Sequence, residues 1–240
     1  MAYFYNFPNT LYKFGNEESL TSFQDLSVYV DVIDQIKDDI NFYSDYTIPD
    51  GDRPDTVSHK IYGTPFYYWA FYLLNENIKI QGWPLSNENV VARAQKDFPN
   101  TTVTTTQDLT GIFLPGQIVA GSTSGATGTI IKRRLDFGQL IVEGSHDFVA
   151  NEIITSTVDD IIQTTTLSAA SEEYNAVHHY ENASGQYVDI DPAVGNSALN
   201  TEITYLDRHI TSNDNLKSIK IIKPNALNSV ISAFNAAMRS

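Results

Sequence analysis

Five histidines, His59, His146, His178, His179 and His209, are the residues of this chain best suited to acid–base work or metal binding. Their spacing supports neither. None sits in an HExxH frame, the helical i, i+4 arrangement that brings two imidazoles and a general base to one metal ion. The chain has no cysteine, so disulfides and thiolate metal sites are excluded. His178 and His179 are neighbours on a predicted strand, which sends their side chains to opposite faces. The stretch Gly121-Ser122-Thr123-Ser124-Gly125-Ala126-Thr127-Gly128 has the composition of a phosphate loop. It lacks the Gly-Lys-Ser/Thr ending and leads into a strand, not a helix N-terminus, and it reads as a flexible turn. Glycoside hydrolysis needs only two positioned carboxylates. The 29 acids fall mainly on predicted helix faces and turns, where solvation accounts for them. No GxSxG elbow is present. Two glycosylation sequons, Asn100-Thr101-Thr102 and Asn182-Ala183-Ser184, match a short and common pattern. The expectation is a protein that is not an enzyme, with no catalytic residue, no cofactor, no metal and no small-molecule substrate.

The aromatic residues offer a different chemistry, that of contact. Tyr3, Phe4, Tyr5 and Phe7 would be costly to expose together, so they pack on the rest of the chain or on a partner. Tyr67, Tyr68 and Tyr72 flank a predicted apolar stripe, where exposed rings stack on sugars or anchor interfaces. Trp69 lies on the stripe itself and reads as core. Trp83, in Gly82-Trp83-Pro84, sits at a turn and leaves both readings open. The contact candidates are therefore Tyr3, Phe4, Tyr5, Tyr67, Tyr68, Tyr72 and Trp83.

Charge narrows what those contacts could meet. The formal net charge of −14 repels nucleic acid and anionic membrane surfaces, and Lys132-Arg133-Arg134 is the only basic run. Residues 1–60 carry eleven acids and four bases, whereas residues 217–240 carry four bases and no acid. This asymmetry reads as solvated surface, with head-to-tail docking between different proteins as the sharper alternative. No apolar run approaches the roughly 20 residues that span a bilayer. The start, MAYFYNFPNTLYKFG, has no basic n-region and no continuous apolar core, so no export signal is expected.

The positioning elements follow from periodicity and turn chemistry. A helix is expected over about 29–42, and a short strand at Tyr46–Ile48 before the turn Pro49-Asp50-Gly51. Asp52 or Asp55 is expected to cap the next helix, with Pro54 in its first turn, Val57 and Ile61 buried, and Gly63 ending it. Thr64 and Pro65 open a second helix whose stripe is Phe66, Trp69, Ala70, Leu73 and Leu74. Ser86 caps a third, with Val90, Val91, Ala94 and Phe98 inside. Residues 100–107 are mostly threonine and read as a linker or edge. Strands are expected at Gln117–Ala120, Gly128–Leu135, Gln139–Glu143 and Ile153–Thr157. Phe113-x-x-x-Gln117-Ile118-Val119 returns 35 residues later as Phe148-x-x-x-Glu152-Ile153-Ile154, an internal echo suited to a small barrel or sandwich in which each Phe plugs one end. Val177–Glu181 and Gln186–Asp189 flank a hairpin turn, Lys217–Lys223 (KSIKIIK) is a strong strand, and Ala226–Met238 is a closing amphipathic helix.

Two short helices joined at Tyr62-Gly63 and followed by Asn75 resemble a LysM-like module, a βααβ unit known for binding peptidoglycan or chitin. The wider framework resembles the baseplate wedge protein 53 family of T4-like contractile-tailed bacteriophages. Three patches carry it: Gly51-Asp52-Arg53-Pro54-Asp55 with Ile61-Tyr62-Gly63-Thr64-Pro65, Tyr68-Trp69 and Asn75-Glu76-Asn77; Gly82-Trp83 with the helix after it; and Leu216–Ile222 with the closing helix to Phe234. They cover about 25–98 and 176–240, and the segment from 100 to 175 has no counterpart in the T4 form. The resemblance implies a structural virion protein of the tail baseplate, assembled in the host cytoplasm. Its implied partners are other wedge proteins and neighbouring wedges, which it joins into a ring around the hub. The alternative is a peptidoglycan-binding LysM protein of the cell wall; an accessory domain of a wall hydrolase would need a catalytic domain for which there is no room. The expected fold is α+β, a split LysM-like βααβ unit with extra helices plus an inserted all-β barrel or sandwich. The segments are 1–43, 44–99, 100–175 and 176–240. Lys217–Ile222 is expected to pair antiparallel with Tyr46–Ile48, closing the sheet from far along the chain.

Overall fold

A computed structural model of the chain describes residues 8–15, 19–25 and 41–239. Tyr3, Phe4 and Tyr5 lie outside the described residues, as does the helix expected over 29–42 except for Asn41 and Phe42, which form a turn. The chain divides into two compact units. The first combines Met1–Asn87 with Ser212–Ser240, and the second is Glu88–Thr211. Helices and strands occur together, as an α+β fold requires.

The first unit is built on a two-stranded sheet. Strand β3 (Tyr43–Thr47) pairs antiparallel with β14 (Ser218–Ile222), with Tyr46 opposite Ile219 and Asp45 opposite Lys220. The pairing expected between Tyr46–Ile48 and the KSIKIIK segment is present. Helix α1 (Pro54–Tyr62) starts at Pro54, whose missing N–H costs nothing there, and ends at Gly63, whose φ of 72° is the left-handed geometry glycine accepts. Arg53, not Asp52 or Asp55, occupies its N-cap and makes no side-chain cap bond. Asp52 instead pairs with Lys60 at 2.5 Å. The second expected helix is broken into a 3-10 turn at Pro65–Tyr67, α2 (Trp69–Leu74) and α3 (Glu76–Gln81). The 3-10 turn shifts the period, so Phe66 leaves the predicted stripe and is 60% exposed, while Phe71 enters the core at 0%. Ile78–Ile80, too short to pair as a strand, is helical.

Helix α2 is buried on two sides. Trp69, Ala70 and Leu74 pack with Ile222 and with Leu227, Val230 and Phe234 of α6 (Leu227–Arg239). Phe71 packs with Ile48, Val57, Ile78, Leu216, Ile219 and Ile221. Each such side chain contributes roughly 1.5–3 kcal/mol on burial. Strand β14 thus supplies residues to both clusters. Near the amino end, β1 (Asn9–Tyr12) and β2 (Thr21–Gln24) form a separate antiparallel hairpin with every strand residue exposed.

The second unit carries a seven-stranded antiparallel sheet. In chain order its strands are β4 (Thr101–Thr104), β5 (Ile118–Gly121), β6 (Thr127–Arg134), β7 (Gln139–Gly144), β8 (Ile153–Val158), β9 (Ile161–Thr166) and β10 (Ala169–Glu172). Their spatial order is β10-β4-β7-β6-β5-β8-β9. Val103, Val119, Ile130, Leu140, Val142, Ile154 and Leu167 converge on one cluster, so the sheet is rolled around a single core. The threonine-rich stretch is neither linker nor edge: β4 lies between β10 and β7, and Thr101, Thr102 and Val103 are buried. Branched Cβ atoms suit that place. Gly138 is required at the β6–β7 bend, where an added Cβ would meet Thr105 O at 2.1 Å.

The internal echo is structural. The Gly116 N–H donates to Ile130 O and the Ile130 N–H to Gln117 O. Thirty-five residues on, the Asn151 N–H donates to Leu167 O and the Leu167 N–H to Glu152 O. Phe113 and Phe148 lie in the same core. Helix α4 (Asn87–Asp97), a small sheet of β11 (Val177–Glu181), β12 (Tyr187–Val188) and β13 (Thr201–Thr204), and helix α5 (Tyr205–Lys217) account for the rest. Within this unit the Phe98 and Tyr205 rings lie 4.3 Å apart, tilted by 39°, which joins the end of α4 to the start of α5.

Candidate functional site

In the first unit the helix pair and sheet are joined by side chains that reach across most of the sequence. Asn75, at the α2–α3 junction, is buried. Its Oδ1 accepts from the Lys220 N–H at 2.7 Å, and its Nδ2 donates to Lys220 O at 2.7 Å and Phe71 O at 2.8 Å. One amide thereby replaces what a third strand would offer β14. The Tyr62 hydroxyl donates to Ile222 O at 2.9 Å, and burial pushes its pKa well above the usual phenol value, so it remains a neutral donor. Ser58 ties the helices at the other end, donating to Thr64 O at 2.7 Å and accepting from the Tyr67 N–H at 3.2 Å. A groove of about 420 Å³ lies beside this join, lined by Asp45, Asn75, Glu76, Ser218 and Lys220 among others.

The sequence-derived contact residues are distributed unevenly. Tyr68 is exposed, and Phe66 beside it, which sequence reasoning placed in the core, is more so. Tyr67 and Tyr72 are half-buried and pack against the two clusters. Trp83 resolves toward the core. Its Nε1 donates to Asp52 O at 2.7 Å and its ring lies 5.8 Å from Phe71 and 6.0 Å from Tyr72. In the β1–β2 hairpin, Leu11, Tyr12, Phe14, Leu20 and Phe23 are all exposed, with Phe14 edge-on to both Tyr12 and Phe23.

The glycine-rich turn of the second unit does cradle an anion, one supplied by the chain itself. The buried Glu152 carboxylate accepts from the backbone N–H groups of Thr123 (3.1 Å), Ser124 (3.0 Å) and Val149 (2.7 Å) and from the Ser124 hydroxyl. Burial alone would raise its pKa; the hydrogen bonds from Ser124, Val149 and Thr123 outweigh that and hold it below the usual carboxylate range. The turn is thus filled from within, which leaves it no phosphate to bind.

His178 and His179 do meet. A bulge between Val177 and His179 breaks the alternation, and the two Nδ1 atoms lie 2.9 Å apart. His179 Nε2 lies 2.9 Å from Glu181 Oε1, and Arg208 Nη1 lies 2.7 Å from His178 Nε2. One tautomer set satisfies every contact: Arg208 donates to His178 Nε2, His178 Nδ1–H to His179 Nδ1, and His179 Nε2–H to Glu181. Burial and the cations Arg208 and Arg134 lower the His178 pKa to about 4, so the ring is neutral near pH 7. Arg134 is fixed between Val177 O, His178 O and Gln139 Oε1, over the Phe137 ring. Every imidazole nitrogen of the two histidines already has a partner. No group of three or more His, Asp or Glu side chains among the described residues is arranged to hold a metal ion.

The family model described as base plate wedge protein 53 matches residues 16–105. Over this segment the chain is similar to the base plate wedge protein 53 family. The match covers β3, α1, the 3-10 turn, α2, α3, α4 and β4, the elements in which Gly63, Trp69, Asn75 and Trp83 carry the local fold. The likeness supports a structural role in a phage baseplate. No curated protein matches it. Among the described residues no helix is long and apolar enough to cross a membrane. What sequence reasoning missed was Asn75 as the residue that closes β14. A buried asparagine just after an apolar stripe is its one sequence signal, and it does not name its partner.

Proposed function

We propose that this chain joins other wedge proteins and neighbouring wedges of the tail into the ring around the hub. The observation that carries this reading is the match to base plate wedge protein 53 over residues 16–105. The surfaces of the first unit support it. A two-stranded hairpin is marginal by itself, and this one presents five large apolar side chains to solvent. Phe66 and Tyr68 add two more exposed rings on the helix pair. Aromatic anchors of this kind dominate the energetics of large protein interfaces. Tyr3, Phe4 and Tyr5, outside the described residues, remain contact candidates from their sequence; Tyr67, Tyr72 and Trp83 are partly buried and pack against the cores of the helix pair.

The helix pair with the β3–β14 sheet is a LysM-like block whose last strand is supplied from residue 218 onward, with a small β module set between. In this reading the block serves assembly in the host cytoplasm and not wall-sugar recognition. The contractile tail and the T4-like setting follow from the family resemblance. The test is reconstitution. Purified chain added to the remaining wedge proteins of the same phage is expected to convert isolated wedges into rings by electron microscopy. Isolated wedges that close without it would overturn the proposal. Retention of the isolated chain on purified peptidoglycan would favour the wall-binding alternative.

A further inference from the structure

The two edges of the β3–β14 sheet differ. Ile48 N–H donates to Lys217 O, and Lys223 N–H donates to Phe42 O. In an antiparallel ladder this phase turns Ser44 and Tyr46 toward β14, and Tyr43, Asp45 and Thr47 outward. On β14 the outward residues are Ser218, Lys220 and Ile222. That edge is closed: Asn75 takes both backbone groups of Lys220, and Tyr62 takes Ile222 O. Among the described residues nothing hydrogen-bonds to the outward backbone groups of Tyr43, Asp45 and Thr47. Proteins ordinarily cover or blunt such an edge, because it is a template for another strand.

We infer that the outer edge of β3 is the docking site for an extended strand of another baseplate protein, one that carries Lys or Arg opposite Asp45. This rests on the proposed baseplate role and names how one of its contacts is made. Charge decides the occupant. Asp45 is exposed and makes no ion pair among the described residues, while Lys220, its cross-strand neighbour, holds its ammonium over the Tyr43 ring at 4.3 Å. A second copy pairing through its own β3, centred on this residue, would set Asp45 against Asp45, and like charges directly opposite destabilise a ladder. A basic strand gains main-chain bonds from the edge and specificity from the carboxylate, the division of labour of strand addition.

Backbone amide exchange of the full chain, free and in assembled baseplates, tests this. In the free chain the inward amides of Ser44, Tyr46 and Ile48 should be protected and the outward amides of Tyr43, Asp45 and Thr47 should exchange fast. In the baseplate the outward amides should slow at least about tenfold, corresponding to about 1.4 kcal/mol of added protection. Thr47→Pro removes an outward N–H, which an edge strand tolerates. It should leave the melting midpoint nearly unchanged while abolishing co-assembly, and Asp45→Lys should weaken co-assembly. If the chain enters baseplates with the alternating pattern intact, or if Thr47→Pro assembles normally, the edge proposal falls and the baseplate role stands. A chain that enters no baseplate overturns both.

Discussion

Each of the two units has its own balance of local and long-range contacts. In the first, the decisive bonds span the sequence: Tyr62 to Ile222 is 160 residues, Asn75 to Lys220 is 145, and Leu85 to Asn213 is 128. In the second, local pairings carry half of the sheet: β5 with β6, β6 with β7 and β8 with β9 are consecutive in the chain, whereas β4 with β7, β5 with β8 and β10 with β4 are not. The difference teaches what an insertion must satisfy. Loop-closure entropy grows only slowly with loop length, and contacts of high sequence separation mainly slow folding. A second unit in which Phe98, soon after entry, contacts Tyr205, shortly before exit, is consistent with splitting the first at little thermodynamic cost.

The comparison can be broken most forcefully at β14. Deleting residues 218–240 removes one of the two strands of the first sheet and the α6 side chains Leu227, Val230 and Phe234. The first unit should lose its cooperative unfolding transition while the second keeps its own, read by differential scanning calorimetry. Loss of both transitions would show that the second unit depends on the first. A smaller cut at the same join is Asn75→Ala, which strips Lys220 of two hydrogen bonds. It should destabilise the first unit by about 2–3 kcal/mol in denaturant titration.

The second unit should respond to acid through residues that do not affect the first. Glu152→Gln leaves backbone donors facing an amide and should cost about 1.5–3 kcal/mol at pH 7. Because the folded carboxyl pKa is depressed, its stabilisation is fully present above the unfolded value near 4.5. It is lost as pH falls through the folded value, and the variant should lack that loss. His178 acts at higher pH. Its folded pKa of about 4 lies below the ordinary 6.5, so the unfolded chain binds more protons between those values. Stability should be full above pH 6.5 and decline toward pH 4. His178→Gln should flatten the part of that decline between pH 6.5 and 4.5, a smaller effect than the preceding ones.

Local signals were legible and long-range partners mostly were not. Pro54, Gly63 and the KSIKIIK run of Lys217–Lys223 announced a helix start, a helix end and a strand, because each acts through its own backbone geometry. The β3–β14 pairing could be read because the LysM-like pattern calls for a closing strand, Ile78–Ile80 is too short to supply it, and Lys217–Ile222 is a strong strand. Phe66 was misplaced because the 3-10 turn at Pro65–Tyr67 changes the period on which stripe counting depends. Thr101–Thr104 read as a linker because threonine is polar, although its branched Cβ suits a buried strand. Helix α5 was not foreseen, since in Tyr205–Lys217 only Tyr205, Asn213 and Leu216 are buried and no stripe forms. The bulge that joins His178 to His179 leaves no mark in composition. Among the site residues, Trp83 showed its turn but not its bond to Asp52, and Asn75 showed its place but not its partner.

The central proposal is that this chain bridges neighbouring wedges in the baseplate through its first unit. A cryo-electron microscopy map of the assembled baseplate tests it most directly. The account predicts density for the chain between two adjacent wedges, with the β1–β2 hairpin and the Phe66–Tyr68 surface buried in contacts. A map that places the chain within one wedge, with those residues facing solvent, would contradict it.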